Sequence, residues 1–236
     1  VFNIIAVLLM LPASEFLVRL VEKALPVTDK ERAVSERKRE LQMLDPRFIT
    51  STSYAIEQCE KATFRMADYT KEALSTAMGL VLNFNEEGAA KVDQLERTVD
   101  DYEDQLNSYL SSISGKTFTA KDSHMFTLLM HCIGDFERIS DHALNVMQKA
   151  REMDEKGEHF SPRAQEELQI FEAALNDIME RTVRAFCEDN TQIAATVEPL
   201  EEVIDGLNME IKRRHVKRLR KGKCTVETGM ALEDII

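Results

Sequence analysis

The chain has 236 residues, with 42 acidic against 30 basic side chains, a formal charge of -12 and an apolar fraction of 44%. That charge excludes a general nucleic-acid binder and suits a cation-binding surface. With 8 Gly, 5 Pro and no Trp in a background of Ala, Leu, Glu, Lys and Met, the composition predicts an all-α fold. The four cysteines form no C-x-x-C pair. Cys59 and Cys132 fall on apolar seams and read as reduced packing residues.

Val1 to Leu11 is apolar except for Asn3, too short to span a bilayer and without a basic region before it. It fits a core helix or the end of a membrane helix in a longer protein. Lys23, Lys30, Arg32, Arg37, Lys38 and Arg39 follow at once, as on the cytoplasmic side of a span, and favour the second reading. We expect a membrane-helix end over 1–28 and a charged connector over 29–52, closed by Leu44-Asp45-Pro46.

A first long helix is predicted from Ser53 to Leu82, with its seam at Cys59, Ala62, Met66, Tyr69, Ala73, Thr76 and Leu80. Asn85 is a candidate cap for a second helix, whose seam is Val92, Leu95, Val99, Tyr102, Leu106, Tyr109 and Ile113. Thr119 to Asp122 forms a capping box. The third helix then carries Met125, Leu129, Cys132, Phe136, Ile139, Ala143 and Val146 and fades near Gly157. Ser161-Pro162 opens a fourth, with its seam at Leu168, Phe171, Leu175, Ile178, Thr182 and Ala185.

An offset of 105 residues overlays the chain on itself without a gap across two helices. Met66 meets Phe171, Asn85 meets Asn190, Val99 meets Ile204 and Leu106 meets Ile211. The period is too long for a short-repeat solenoid and predicts a duplicated three-helix unit. Its first copy covers 53–157. The second covers 158–236 and is incomplete, its last helix beginning near Val226.

Acids recur in this register. Glu96 and Asp100 follow seam residues of the second helix, and Glu201 and Asp205 occupy the equivalent places 105 residues on. Glu137 and Asp141 flank the third helix's seam. Residues four apart share a helix face, and helical bundles build metal sites from carboxylates projecting between facing helices. Asp93, Glu103, Asp135 and Asn145 stand near enough to help. Such an oxygen-rich set suits Mg²⁺, Mn²⁺, Fe or Zn²⁺. The competing reading is a solvated acidic face, and His142 beside Asp141 reads as a polar surface residue.

Glu137-Arg138-Ile139-Ser140-Asp141 resembles the E-R-I-G-D signature of PhoU domains, where Gly more often fills the place of Ser140. Phe2-Asn3 with Leu11-Pro12, Leu44-Asp45-Pro46-Arg47-Phe48, and Arg214-His215-Val216-Lys217-Arg218-Leu219 with Gly222 and Cys224 are similar to the bacterial sodium/phosphate cotransporter family. The resemblance implies tandem PhoU-like three-helix bundles behind a membrane transport domain. It implies an iron or zinc cluster on Glu96, Asp100, Glu137, Asp141, Glu201 and Asp205, with manganese or magnesium less favoured and a metal-free domain also open. The fourth acidic motif is expected beyond Ile236.

Lys212 to Lys223 holds eight Lys or Arg and no acid. It reads either as cations complementing a helix C-terminus or as a lipid- or anion-contact patch, with Arg214, Lys217, Arg218, Arg220 and Lys221 as the contact residues. The function expected is a non-catalytic cytoplasmic regulator of a sodium-dependent phosphate symporter at the inner membrane. Its partner is the transport domain of the same polypeptide, through which it meets phosphate and sodium, with a homo-oligomer open and no nucleic acid. The alternative is a free PhoU-type adaptor for a phosphate ABC transporter and the phosphate-starvation two-component system.

Overall fold

Seven α-helices follow a 3₁₀ turn at Pro46–Thr50 in the computed structural model, which describes residues 44–236. They are α1 (Thr52–Leu82), α2 (Glu86–Ile113), α3 (Ala120–Glu155), α4 (Pro162–Cys187), α5 (Thr191–Ala194), α6 (Val197–Arg220) and α7 (Val226–Ile235). No strand occurs among the described residues, so the all-α prediction holds. The expected membrane-helix end and most of the connector lie outside the described residues. No helix among the described residues is long and apolar enough to cross a membrane.

Local chemistry sets the helix starts. The Asn85 side chain accepts from Gly88 N at 2.8 Å, and Thr119 Oγ1 accepts from Asp122 N at 3.1 Å. Ser161 Oγ accepts from Ala164 N, with Pro162 in the first turn where its missing N–H costs nothing. The Asp122 carboxylate also accepts from Ser53 Oγ at 2.7 Å, which ties the start of α3 to that of α1. Gly157 and Gly222 take left-handed backbone just beyond α3 and α6, a conformation that glycine adopts without a Cβ clash.

Helices α1, α2 and α3 pack on one another as a three-helix bundle. All seven predicted seam residues of α2 are buried, each large one worth roughly 2 kcal/mol in transfer terms. Helix α1 is the centre. Of its predicted seam Cys59, Ala62, Met66, Ala73 and Leu80 are buried and Tyr69 and Thr76 half-buried; it also buries Ala55, Ile56, Thr63, Ala67, Thr70 and Ala77, because α4 packs on it as well. Its alanines let neighbouring backbones come close, and Thr70 Oγ1 donates to the Phe136 carbonyl of α3 at 3.2 Å. The 3₁₀ turn rests on α1 and α2, and Tyr109 Oη donates to the Asp45 carbonyl, so the last part of the expected connector belongs to the bundle.

The buried face of α3 differs from the predicted line. Met125, Leu129, Phe136, Ala143 and Val146 of the predicted seam are buried, but so are Ile133, Ser140, Met147 and Ala150, while Cys132 and Ile139 are half-buried. The 4-3 spacing was right. The buried face is wider than a single line, because α3 faces both α1 and α2. Ser140 is fully buried and its Oγ has no partner. That explains the small residue at this place, since a larger one would push the helices apart.

The second copy is looser. Helix α4 packs on α1 and α6, and α7 packs on α3 and α6. Phe186 of α4 meets Phe64 and Phe136 edge-on, at centroid distances of 5.2 and 5.9 Å. Leu168, Phe171, Ile211, Leu232 and Ile235 share one core with Ala73, Val92, Met147 and Met153, so the two copies are fused rather than separate. Leu200, Ile204 and Leu207 are half-buried where their counterparts Leu95, Val99 and Tyr102 are buried. On α4 the lower predicted seam (Leu175, Ile178, Thr182, Ala185) is likewise half-buried.

The repeat also breaks in one place. Asn85 and Asn190 both cap helices, as the 105-residue register demands, yet α2 runs unbroken where the second copy has α5 and then α6. Pro199 stands at the place of Gln94. Proline cannot bond back to the Ala195 carbonyl and clashes with that turn, so a new helix must start within a turn of it.

Candidate functional site

Helices α2 and α3 lie side by side, and each carries acids one residue beyond its buried line. Glu96 follows Leu95 and Asp100 follows Val99. Glu137 follows Phe136 and Asp141 follows Ser140. Such positions sit at the rim of the interface and point along it. Carboxylate oxygens of Glu96, Asp100 and Asp141 come within 4.8 Å of one another, a group that could hold a metal ion.

The group is electrostatically unrelieved. Partial burial raises the affinity of Glu96 for its proton, and the neighbouring Asp100 and Asp141 charges raise it further against a smaller opposing effect of Arg97. Asp100 is pushed up by burial and then by Asp141, Asp104 and Asp101. Glu137 is pushed up by burial, by Asp141 and Glu103, and by a hydrogen bond between the Glu137 and Asp141 carboxyls. None of the four makes an ion pair with Lys or Arg among the described residues. Like charges held together without a basic partner fit a cation between them.

Three carboxylates with no imidazole or thiolate in the group fit a hard, oxygen-seeking ion. Ferric iron, manganese and magnesium match such donors better than zinc, which prefers nitrogen and sulfur. Glu137 stands beside the trio through Asp141. Asp93 and Glu103 contribute charge to Glu96 and Glu137. Asp135, Asn145 and His142 are exposed and outside the group.

Glu201 and Asp205 lie elsewhere. Both are exposed on α6, and among the described residues neither belongs to a group of three such side chains. The helix that would face them in the repeat is α7, where Glu233 pairs with Lys212 at 2.8 Å and Asp234 with Lys149 at 2.9 Å, and Glu227 stands exposed in its first turn. The structure thus brings together three of the six predicted acids, holds Glu137 alongside, and leaves the other two apart.

The basic stretch divides in the same way. Arg218 is not a surface residue. Its side chain is 11% exposed, and its Nη1 donates to both oxygens of Glu167 on α4, at 2.8 and 2.9 Å. Arg214 pairs with Glu210 and reaches Glu167. Lys217, Arg220 and Lys221 remain exposed.

Sequence reasoning missed the buried corner around this pair. His215 is buried, its Nδ1 has no partner, and its Nε2 lies 3.7 Å from Cys224 Sγ. Burial, then Arg218, disfavours the imidazolium. A Cβ on Gly229 of α7 would lie 2.7 Å from His215 Nε2, so glycine is what allows α7 to approach here. The signal was present: Ile204, Leu207, Ile211, His215 and Arg218 step by 3, 4, 4 and 3, a helical seam that runs through the basic stretch.

Residues 63–150 match the family model described as the PhoU domain. A curated relative, the phosphate-specific transport system accessory protein PhoU homolog 1 of Thermotoga maritima, is 23% identical over 167 residues, 70% of this chain and 71% of that protein. No solved structure matches the chain. The match covers about the last two thirds of α1, the whole of α2 and most of α3, and Glu96, Asp100, Glu137 and Asp141 fall inside the matched residues.

Proposed function

We propose that this chain is a non-catalytic regulator of phosphate transport whose acidic group takes up a hard cation between α2 and α3. The observation that carries this reading is the convergence of Glu96, Asp100 and Asp141 from two helices within the matched PhoU domain. The relative's name, a phosphate transport accessory protein, supports the transport setting. Glu96, Asp100 and Asp141 would hold the ion, with Glu137 near enough to join. A bound cation removes the repulsion between the helices and fixes their packing on α1, the helix that follows the 3₁₀ turn and residues 1–43. Metal occupancy would then bias whatever that segment is joined to.

The finer reading is that residues 1–43 lead to the membrane transport domain of a sodium-dependent phosphate symporter, with this domain on its cytoplasmic side at the inner membrane. The basic residues after Leu20 motivate it. A free adaptor is the competing reading, favoured by the accessory role that the relative's name gives. Phosphate uptake by cells expressing the full-length protein separates them. Uptake lost when choline replaces sodium supports the symporter. Uptake indifferent to sodium, or none attributable to the protein, contradicts it and favours the adaptor. The cation site itself is tested by Asp100→Asn with Asp141→Asn: metal retained at the parental stoichiometry would sink it.

A further inference from the structure

Helix α6 is oppositely charged at its two ends. Its first turns hold Glu198, Glu201, Glu202 and Asp205, all exposed. Its last turns hold Arg213, Lys217 and Arg220, continued by Lys221 and Lys223 in the loop to α7. Lys217, Arg220, Lys221 and Lys223 are exposed, and none forms an ion pair among the described residues. The packed side of α6 carries Ile211, His215 and Arg218. At about 3.6 residues per turn, Met209, Arg213, Val216 and Arg220 fall on the opposite side, with Lys217 beside them. Met209 is 69% exposed and Val216 45%. Val226, at the start of α7, adds a third exposed apolar side chain, 58% exposed, near this end.

Cations at the C-terminus of a helix complement its dipole. That accounts for the charge but not for apolar side chains left in water between arginines. Interleaved basic and apolar residues on one outward helix face are what an interfacial helix presents to a bilayer, with the cations at the headgroups and the apolar groups in the acyl boundary. Nucleic acid would use the cations, but it has no counterpart for Met209 and Val216, and the net charge of -12 opposes it.

We propose that the basic end of α6, through Lys217, Arg220 and Lys221 with Met209 and Val216, docks on an anionic lipid bilayer. The surface is separate from the acidic group, so it stands or falls independently of the cation reading.

The test is co-sedimentation of the full chain with phosphatidylcholine vesicles containing about a third phosphatidylglycerol, against pure phosphatidylcholine vesicles. Apolar residues near the N-terminus would act on both, so the ratio of the two partition coefficients is read. Each basic residue at an anionic surface is worth about fivefold. Lys217→Gln, Arg220→Gln and Lys221→Gln together should therefore lower the ratio about a hundredfold, with helix content by circular dichroism unchanged. Met209→Ser with Val216→Ser should weaken anionic partition by a smaller factor and leave its salt dependence intact. A parent with no preference for anionic vesicles, or a triple variant that partitions like the parent, overturns the proposal. A serine pair that binds as the parent does, alongside equal capture by duplex DNA, overturns it in favour of a general polyanion surface.

Discussion

Glu96 and Asp100 on α2 and Glu201 and Asp205 on α6 occupy equivalent places of one repeat, yet among the described residues only the first pair forms a group of three with an acid from another helix, Asp141. Around the first pair, α2 and α3 pack along most of their length over Leu95, Val99, Tyr102 and Leu106. Around the second, the equivalent residues are half-buried until Ile211, and no acid of the described part of α7 joins them in such a group. The same acids, set one residue off a seam, make a converging group where a second helix carries its own acids alongside and a solvated face where none does. Register places the carboxylates, and the facing helix decides what they become.

The contrast is broken most severely in the cores. Leu106→Ala in the first copy should cost about 3 kcal/mol, because it empties a fully buried site, while Leu207→Ala in the second should cost about 1. Urea midpoints measure both, and equal losses would mean the two copies are packed alike. Next in size is Glu167→Gln. It leaves the Arg218 guanidinium buried without its charge partner, and already two of that group's nitrogens have none. A loss of about 2 kcal/mol is expected in the same assay; no loss would mean that solvent reaches the pair. Ser140→Ala goes the other way. Removing a buried hydroxyl without a partner should stabilise the protein by about 1 kcal/mol, and a loss would show that the hydroxyl bonds to the backbone.

The smallest expected effect is that of pH on the metal-free protein. Glu96, Asp100 and Glu137 hold their protons more tightly folded than unfolded. At these three sites the folded state binds more protons than the unfolded one, which favours folding as pH falls from neutral towards the carboxylate range; His215, disfavoured as imidazolium, acts in the opposite direction and is common to the metal-free and metal-saturated protein. Below the ordinary carboxylate range the sign reverses. Glu152 and Glu210, held down to about 2 by Lys149 and Lys156 and by Arg213 and Arg214, then begin to lose their ion pairs. Denaturation midpoints across this range should rise more, or fall less, towards acid pH without metal than with saturating divalent cation. Metal-free and metal-saturated profiles that run parallel would show that the acids do not repel one another.

Much of the fold was legible because apolar spacing and cap chemistry are local. The four long helices came within a residue or two of their ends from Asn85, the Thr119 capping box and Ser161-Pro162. The α2 seam was read in full, since α2 has one buried side. Helices α1 and α3 face more than one partner, so a single seam per helix could not locate Thr70, Ile133 or Ser140. The acidic group was legible as E-x-x-x-D spacing in register, but its membership was not. Asp141 converges with Glu96 and Asp100 while Glu137 stands beside them, a matter of helix rotation that spacing alone cannot supply. Arg218 was misplaced because charge composition was weighed over periodicity: it lies on a seam, and the seam won. Pro199 and the interruption it forces were visible in the sequence but hidden by the regularity of the 105-residue overlay.

Metal titration of chelator-stripped protein by calorimetry, with Mn²⁺ and with Fe³⁺ as its citrate complex, tests the central claim most directly. It requires three proteins: the parent, Asp100→Asn with Asp141→Asn, and Glu201→Gln with Asp205→Asn. The account predicts saturable binding by the parent, its loss in the first variant and no change in the second. Equal binding by all three, or a loss confined to the Glu201 and Asp205 variant, would contradict it and leave the α2–α3 acids a solvated face.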